Sequence, residues 1–356
     1  MKLEDLRNKI DEVDARIVEL ISERLQITEE IGKGKQEHNQ LVEDIAREQQ
    51  VLENVKSIAR AGNINQEDVA GIYRQIMAAA KRVQGVVGVA FQGENGAYSE
   101  EAASHFFGPS IRTRPSESFG DVFRAVESGE EHFGIVPVEN SLEGSINQVY
   151  DLLLESGLRV CGETELRVSH CLISTPESGL DSIKRVYSHP QALAQCRSFL
   201  KHLGCEVIPT DDTAGSVLMI KEKGTPDNAA IAGARAAEIY GMKVVTREIE
   251  DNLHNFTRFF ILSREDSLPS GDDKTSLVFS VKDRPGVLYQ SLSIFASQNI
   301  SLTKLESRPT RQKPWEYNFY LDLEGHRQDK EVSEALEGLE KQTVFLKILG
   351  SYPRAR

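Results

Sequence analysis

A regular stripe of apolar residues near the start of the chain is interrupted by one arginine. The stripe follows alternating steps of three and four residues: Leu6, Ile10, Val13, Ile17, Leu20, Ile27 and Ile31. This spacing places its members on one side of a helix that must face another helix. Arg24 occupies the seam position between Leu20 and Ile27, where its guanidinium would be desolvated and would need an anionic partner.

A second predicted helix carries acidic residues at the corresponding place. Glu48 stands at a seam position of its apolar stripe, and Asp44 lies one turn earlier. One interpretation is an internal Arg24–Glu48 salt bridge that only fixes the register of the helices. The other is a polar ligand site inside a helical bundle. Lys35 favours the ligand site, because it lies on the same face as Arg24 and about 16 Å further along the helix axis.

Arg7 lies on a different face of the first helix, rotated by about 100° from Arg24. It cannot easily serve the same pocket within one chain, but it can serve a partner's pocket across a two-fold axis. The three predicted helices of residues 3–84 are unequal in length and bury little surface alone. We therefore expect two interlocked chains, in a homodimer or a higher homo-oligomer.

The composition limits the possible functions. A chain of 356 residues is expected to form two or three domains. A net charge of −13 argues against nucleic acid as a partner. No apolar run is long enough to span a membrane. The four cysteines lack the spacing of a disulfide framework or a zinc site, so we expect buried thiols, no metal and a cytoplasmic location.

The hydrophobic pattern changes twice along the chain and predicts a multidomain fold. Residues 1–84 are predicted to form an all-α domain. Residues 86–264 alternate short apolar strands with helices, which predicts a two-lobed α/β domain with parallel sheets and a cleft at the strand carboxyl ends. After a polar linker, residues 274–352 show the βαββαβ order of a ferredoxin-like α+β domain.

The helical segment resembles the all-helical chorismate mutase family. The matching residues keep one register: Leu6-Arg7, Glu23-Arg24, Gly32-Lys33-Gly34-Lys35, Asp44-Ile45-Ala46-Arg47-Glu48 and Gln84. The resemblance implies that Arg7 and Arg24 bind the two substrate carboxylates. It also implies that Lys35 and Gln84 contact the substrate ether oxygen. Asp44 and Glu48 would hold the ring hydroxyl and its neighbouring groups. Ala80 stands where the family commonly has a serine.

The middle segment resembles the prephenate dehydratase family along its whole length. The resemblance rests on five blocks: residues 91–99, 136–141, 143–144, 188–196 and 255–259. The Thr257-Arg258-Phe259 core of the last block is the most specific. By this resemblance Thr257 is the catalytic proton donor, and the cleft is lined by Glu139, Asn140, Ser188 and Gln195. Arg258 is expected either to bind a substrate carboxylate or to form a structural ion pair.

The last segment resembles an ACT domain. Two blocks, Asp283–Leu288 and Glu306–Pro309, resemble the phenylalanine-binding motifs of the dehydratase family. The implied ligand-binding residues are Gly286, Val287, Leu288, Glu306 and Ser307. Gly286 would let the backbone approach a bound amino acid, and the adjacent helix N-terminus suits its carboxylate. The alternative is a module that only dimerises.

These resemblances imply chorismate and prephenate as substrates, L-phenylalanine as effector and no cofactor. Gly93 and Gly96 do not complete a dinucleotide-binding fingerprint after the first strand, which argues against a nicotinamide site. Two alternatives remain open at this stage. The middle domain could act on arogenate, which keeps an amino group, or it could bind a small acid without chemistry.

Overall fold

The computed structural model describes residues 3–37, 45–62, 64–83, 87–109, 111–282, 284–310 and 316–355. The chain divides into two compact units, Met1–Val87 and Gly88–Arg356. Among the helices of these described ranges, none is both long and apolar enough to cross a membrane.

The first unit consists of α1 (Leu3–Glu37), α2 (Ile45–Ala61) and α3 (Gln66–Val83). Both α1 and α2 contact α3. The small buried core holds Val55, Ala59, Ala70, Met77 and Ala80. In contrast, all seven residues of the apolar stripe on α1 are exposed, from 41% at Leu6 to 62% at Leu20. The stripe that the sequence predicts to face another helix is therefore uncovered within one chain.

The second unit begins with a lobe built on a six-stranded sheet of order β2-β1-β3-β11-β5, with β4 paired to β3. Its strands are β1 (Gly88–Gln92), β2 (Arg112–Ser116), β3 (Phe133–Asn140), β4 (Gly144–Ser145), β5 (Arg159–Arg167) and β11 (Phe256–Ser263). Its helices are α4 (Tyr98–Phe107), α5 (Phe119–Glu127) and α6 (Asn147–Glu155). The central strands carry apolar runs and are buried, whereas the edge strand β2 is polar and largely exposed. Phe259, Phe260 and Ile261 of β11 are at most 1% exposed.

A second lobe follows, with a five-stranded sheet of order β10-β6-β9-β7-β8. Its strands are β6 (Cys171–Ser174), β7 (Arg185–Ser188), β8 (Glu206–Pro209), β9 (Asn228–Ala232) and β10 (Lys243–Thr246). Its helices are α7 (Pro190–Gln195), α8 (Arg197–Leu203), α9 (Thr213–Lys223) and α10 (Ala234–Tyr240), with a short 3₁₀ turn at Leu180–Ser182. All four cysteines are free thiols.

The prediction that the two sheets are parallel is wrong. Only β2-β1-β3 and β8-β7-β9 are parallel runs. Strand β11 runs antiparallel to both β3 and β5, and β6 runs antiparallel to β9 and β10. The reason is that β11 returns from the second lobe to the first, so it is not the end of a local crossover connection.

The C-terminal sheet has the order β13-β14-β12-β15 and is antiparallel throughout. Its elements are β12 (Asp273–Ser280), α11 (Val287–Ser297), β13 (Leu302–Pro309), β14 (Tyr317–Glu324), α12 (Lys330–Glu340) and β15 (Phe345–Pro353). This is the predicted ferredoxin-like βαββαβ order, and the predicted multidomain fold class is confirmed.

The two faces of the C-terminal sheet have different neighbours. Leu277 and Leu321 belong to a core with residues of α11 and α12. On the other face, Val278, Tyr320 and Tyr352 join the core of the first lobe. The contact with that lobe is close: a Cβ on Gly350 would lie 2.0 Å from the carbonyl oxygen of Val160. The sheet is therefore fixed directly against the domain that holds the cleft.

Candidate active site

A cavity of about 590 Å³ lies between the two lobes of the second unit. It opens at the carboxyl ends of the parallel strands, where ligands of open α/β sheets bind. Residues that follow β1, β2, β3, β7 and β8 contribute to its wall, among them Gly93, Glu117, Glu143, His189 and Asp211. Thr257 and Asn140 lie in the same wall. Of the described lining residues, none is Lys or Arg.

The hydroxyl of Thr257 is held by Asn140. Asn140 Nδ2 donates a hydrogen bond to Thr257 Oγ1 at 3.0 Å and another to Asn255 Oδ1 at 2.7 Å. Thr257 is 8% exposed and lines the cavity. Because Oγ1 accepts from the amide, the hydroxyl proton of Thr257 is left to be donated into the cavity. This geometry suits a proton donor.

The amide of Asn140 is oriented by the turn that follows β3. Asn140 Oδ1 accepts hydrogen bonds from the backbone N–H groups of Leu142, at 3.0 Å, and Glu143, at 3.2 Å. Strand β4 then pairs back on β3, so that Asn140 lies opposite Gly144. The β3–β4 hairpin, residues 139–145, thus presents the Asn140 N–H groups to Thr257.

A chain of hydrogen bonds continues from this pair into the second lobe. Asn255 Nδ2 donates to Gln195 Oε1 at 3.0 Å, and the same oxygen lies 2.9 Å from His170 Nε2. Gln195 Nε2 donates to Glu143 Oε1 at 3.2 Å. Gln195 therefore connects the hairpin to the wall of the second lobe.

His170 is neutral in this arrangement. Burial lowers its pKa from the usual value of 6.5, against the opposing effect of the hydrogen bond to Gln195. Since Gln195 Oε1 can only accept, the proton of the neutral ring lies on Nε2. The hydroxyl of Tyr98 lies 2.9 Å from Nδ1 and 2.8 Å from the carbonyl oxygen of Ser169, and its single proton is shared between these two acceptors. Burial raises the pKa of Tyr98 well above 10, which keeps that hydroxyl protonated.

The first turns of five helices border the cavity, α4, α5, α6, α7 and α9. Three of these helices have side-chain caps: Ser118 for α5, His189 for α7 and Asp212 for α9. The other two, α4 and α6, follow Ala97 and Ile146, which contribute no side-chain hydrogen bond. Residues Ala97–Ser99 line the cavity. The starts of α4 and α6 are thus the two helix N-termini at the described cavity wall that no side chain caps and that suit a carboxylate of a ligand.

Comparisons with known proteins cover all three segments. The prephenate dehydratase family matches residues 89–267, the chorismate mutase type II family residues 6–85, and the ACT domain family residues 275–341. A bifunctional chorismate mutase/prephenate dehydratase from Aquifex aeolicus is 38% identical over 99% of this chain and 98% of its own length. The chain belongs to the bifunctional chorismate mutase/prephenate dehydratase family.

Solved structures resemble the second unit in particular. One is described as GqqA, a novel type of quorum quenching acylase, with a TM-score of 0.70 and 36% identity over 75% of this chain and 97% of that one. A prephenate dehydratase from Arthrobacter aurescens in complex with L-Phe has a TM-score of 0.69 and 32% identity, over 75% of this chain and 90% of that one.

Within the dehydratase domain, the predicted cleft residues fall into two groups. Asn140, Gln195 and Thr257 meet at the cavity. Glu139 and Ser188 do not lie in its described lining: Ser188 is fully buried and donates to the carbonyl of Ile231 at 2.6 Å. The side chain of Glu139 contacts Lys304 of the C-terminal sheet and Arg258 of β11. The structure therefore does not bring these two together with Thr257, and their predicted contact with substrate stays a prediction.

Arg258 forms ion pairs within the protein, as the second of its two predicted roles requires. Its Nε donates to Glu163 at 2.7 Å and its Nη1 to Asp322 at 2.6 Å, while Nη2 donates to Tyr352. Glu163 is on β5 of the first lobe, and Asp322 and Tyr352 are on the C-terminal sheet. The side chain alternates with Thr257 along β11 and faces away from the cavity. Arg258 thus joins two domains, and its predicted contact with a substrate carboxylate is not seen in this arrangement.

In the mutase unit, the structure describes the side chains of two predicted site residues. Arg24 has a buried Nη1 atom without a hydrogen-bond partner among the described residues. Arg7 is exposed on α1. Lys35 and Glu48 lie on α1 and α2, at positions whose side chains are outside the described part. Asp44 and Gln84 lie outside the described residues altogether.

The residues of the ACT domain that are predicted to bind L-phenylalanine do not all lie on one face of the sheet. Gly286 precedes α11 with φ 79°, a conformation that favours glycine, and Val287 and Leu288 open the helix. Ser307 pairs with Phe319 and Glu306 with Tyr320, so their side chains point to opposite faces of the sheet. Glu306 thus faces the dehydratase domain, while Ser307 lies on the face that carries the helices.

Sequence reasoning missed the part of His170 and Tyr98 in this site. Tyr98 lies within a block that resembles the dehydratase family, but no feature of the sequence links it to His170. His170 stands just before the buried strand β6, where a polar side chain only 2% exposed needs partners. That position is a weak signal, since the partners come from two other elements.

Proposed function

We propose that the mutase unit rearranges chorismate to prephenate, that the cleft converts prephenate to phenylpyruvate, and that L-phenylalanine bound at the ACT domain inhibits the second step. The observation that carries the dehydratase proposal is the hydrogen bond from Asn140 to Thr257 at the wall of the cavity. We also propose the domain limits 1–84, 86–264 and 274–352 and a cytoplasmic location, which the biosynthetic relatives support.

In the dehydratase step, prephenate loses carbon dioxide and its ring hydroxyl. The electron pair of the breaking C–C bond enters the ring, and the C–O bond to the hydroxyl breaks. Thr257 donates its proton to the leaving oxygen, which departs as water, and the Thr257 oxygen then recovers a proton from solvent. Aromatisation supplies a strong driving force, so a weak acid suffices as donor. The Asn140 N–H stabilises the negative charge that grows on Oγ1.

Substrate carboxylates would be held by dipoles. The described cavity lining holds no Lys or Arg, so the donors that remain are backbone N–H groups, side-chain amides, hydroxyls and imidazoles. The uncapped start of α4 offers the N–H groups of Tyr98 and Ser99, since that of Ala97 already donates to the carbonyl of Glu94. A carboxylate that is not paired with a cation is also easier to lose as neutral carbon dioxide, since no ion pair is broken. The carboxyl that stays in the product is the one we assign to α4.

The mutase proposal is supported by Arg24. A buried guanidinium nitrogen without a partner among the described residues is costly unless an anion binds there. Catalysis would come from holding the compact conformer of chorismate and from stabilising charge on the breaking ether bond. The exposed stripe on α1 supports a homodimer in which Arg7 completes the partner's site. Lys35, Asp44, Glu48 and Gln84 complete the proposed residue set.

The regulatory proposal is supported by the conformation of Gly286 and by the L-Phe complex of a similar dehydratase. The amino acid would bind where Gly286–Leu288 opens α11, with Ser307 of β13 on the same face of the sheet. Inhibition requires L-phenylalanine to prefer a conformation that the substrate disfavours. The coupling free energy would then be about 1–3 kcal/mol.

The test of this function is a single reaction with purified protein and chorismate. We expect prephenate to appear first and phenylpyruvate second, with L-phenylalanine slowing only the second product. Prephenate that accumulates without phenylpyruvate would refute the dehydratase assignment. Arogenate supplied in parallel tests the alternative substrate: a higher kcat/KM for arogenate than for prephenate would replace the second half of the proposal.

A further inference from the structure

Lys304 lies on β13 of the ACT domain, yet its ammonium group contacts the β3–β4 hairpin of the dehydratase domain. Its Nζ lies 2.9 Å from Glu139 Oε2 and donates to Ser145 Oγ at 2.8 Å. A third oxygen, Glu306 Oε2, is 3.3 Å away. Ser145 in turn donates its hydroxyl proton to Glu306. The three N–H donors of Lys304 therefore have three acceptors, two of them on the hairpin.

The hairpin residues that Lys304 holds are directly opposite each other. Glu139 pairs with Ser145, and the next pair is Asn140 with Gly144. Lys304 thus bridges the two strands of the hairpin one residue away from Asn140. Ser145 itself lines the cavity, as Asn140 does. A shift of this pair would move the Asn140 amide relative to Thr257, since β4 has only two residues and Asn140 is the last residue of β3.

Electrostatics make the ammonium group necessary for this geometry. The side chain of Lys304 is 10% exposed, and the carboxylates of Glu139 and Glu306 both lie against it. Without the ammonium, the two partly exposed carboxylates would face each other across the buried lysine side chain, and their repulsion would push the hairpin and β13 apart. Arg258 is 3.9 Å from Glu139 and is already engaged by Asp322 and Glu163, so it cannot replace Lys304.

We propose that Lys304 of the ACT domain is a positioning residue for the dehydratase reaction, because it fixes the β3–β4 hairpin and with it the Asn140 amide that donates to Thr257. This inference rests on the proposed dehydratase function. It assigns to the ACT domain a part in catalysis that does not depend on bound phenylalanine. Strand β13 of the ACT domain and the β3–β4 hairpin of the dehydratase domain then form one structural unit.

Lys304→Met tests the proposal, since methionine keeps the length of the side chain and removes its charge. We expect the kcat for prephenate without phenylalanine to fall at least tenfold, with KM within about threefold, because Thr257 loses its alignment and the substrate-binding dipoles stay. Lys304→Arg keeps the charge and should retain at least a third of wild-type kcat. If Lys304→Met does not fold, Lys304→Gln should give a fall of about threefold or more.

Lys347→Met is the matched control. Lys347 lies on β15 of the same sheet, and its Nζ donates to three backbone oxygens at the end of α6, those of Leu153, Leu154 and Ser156. This variant removes an equally engaged ammonium without touching the hairpin, so kcat should stay within twofold of wild type even if Tm falls. Both variants are measured as full-length protein, with thermal melting to compare their stability.

Three outcomes are distinct. A selective fall of kcat in Lys304→Met, recovered in Lys304→Arg, supports the proposal. An unchanged kcat in Lys304→Met, or an equal fall in Lys347→Met, overturns it and leaves the dehydratase function intact. No phenylpyruvate from the wild type would overturn the function, and the inference with it.

Discussion

Asn140 Nδ2 lies 3.0 Å from Thr257 Oγ1, and the same amide is held from behind by two backbone N–H groups of its own turn. The amide oxygen accepts from the turn, so its orientation is determined and the N–H groups must point to Thr257. The relationship joins two adjacent antiparallel strands, β3 and β11, at the point where Asn140 and Thr257 are paired in register.

Asn140→Asp should slow the dehydratase. The carboxylate would still accept from the turn, but it would also accept the Thr257 proton that the reaction needs. We expect kcat for prephenate to fall by at least about tenfold, by analogy with the loss of one donor to a developing oxyanion. Asn252→Asp is the control, because Asn252 is exposed and its Oδ1 accepts from His254 N. An Asn140→Asp enzyme with normal turnover would contradict the assigned direction of this hydrogen bond.

The free energy of unfolding should depend on pH, because His170 is neutral in the folded protein. Its pKa is lowered in the folded protein, chiefly by burial, so the unfolded chain binds the proton more readily. The folded state therefore gains stability as pH rises toward 6.5 and loses it as pH falls below that value, with a slope of at most about 1.4 kcal/mol per pH unit. Denaturation of the wild type and of His170→Gln at pH 5 to 8 measures this contribution. Parallel curves for the two proteins would count against it.

The mutase site should be completed by two chains. Arg7→Ala and Arg24→Ala should each be almost inactive in chorismate rearrangement. After the two variants are refolded together, half of the dimers are mixed, and each mixed dimer has one intact site of two. About a quarter of wild-type activity should return. If mixing restores nothing, each site is built from one chain.

Gly286→Val should abolish inhibition by L-phenylalanine and leave uninhibited turnover largely intact. Gly286 has φ 79°, which a β-branched residue adopts only with strain, so the start of α11 must change. Gly271→Val is the control: Gly271 has φ 88° and open space around it, but it lies in the linker before β12. Calorimetry should show loss of phenylalanine binding in Gly286→Val only. Normal affinity in that variant would exclude this site.

Several features of the fold were predictable because they depend on local pattern. The ferredoxin-like order follows from six short periodic segments, and the exposed stripe on α1 follows from the heptad spacing. The direction of β11 was not predictable, because periodicity identifies a strand without showing which neighbours it pairs with. That strand determines the site, since it brings Thr257 beside Asn140 from 117 residues away.

The contact partners of single site residues are likewise not predictable from the sequence. The sequence does not decide whether Arg258 binds substrate or forms an ion pair, because its partners, Glu163 and Asp322, lie 95 and 64 residues away. Glu306 and Ser307 belong to one predicted phenylalanine-binding motif, although adjacent residues of a strand face opposite sides. The alternation alone predicts that they cannot both point to α11. What it does not predict is that Glu306 meets Ser145 of the dehydratase domain.

The most direct test of Thr257 as the proton donor is the turnover of prephenate by Thr257→Val. Valine keeps the volume of threonine and its preference for a strand, and it removes only the hydroxyl. Dehydratase kcat should fall by at least about 10²-fold, and Thr257→Ser should retain much of the wild-type rate. Chorismate rearrangement by the same preparation should stay within about twofold, because the mutase unit is separate. Near-normal formation of phenylpyruvate by Thr257→Val would show that the proton comes from another group.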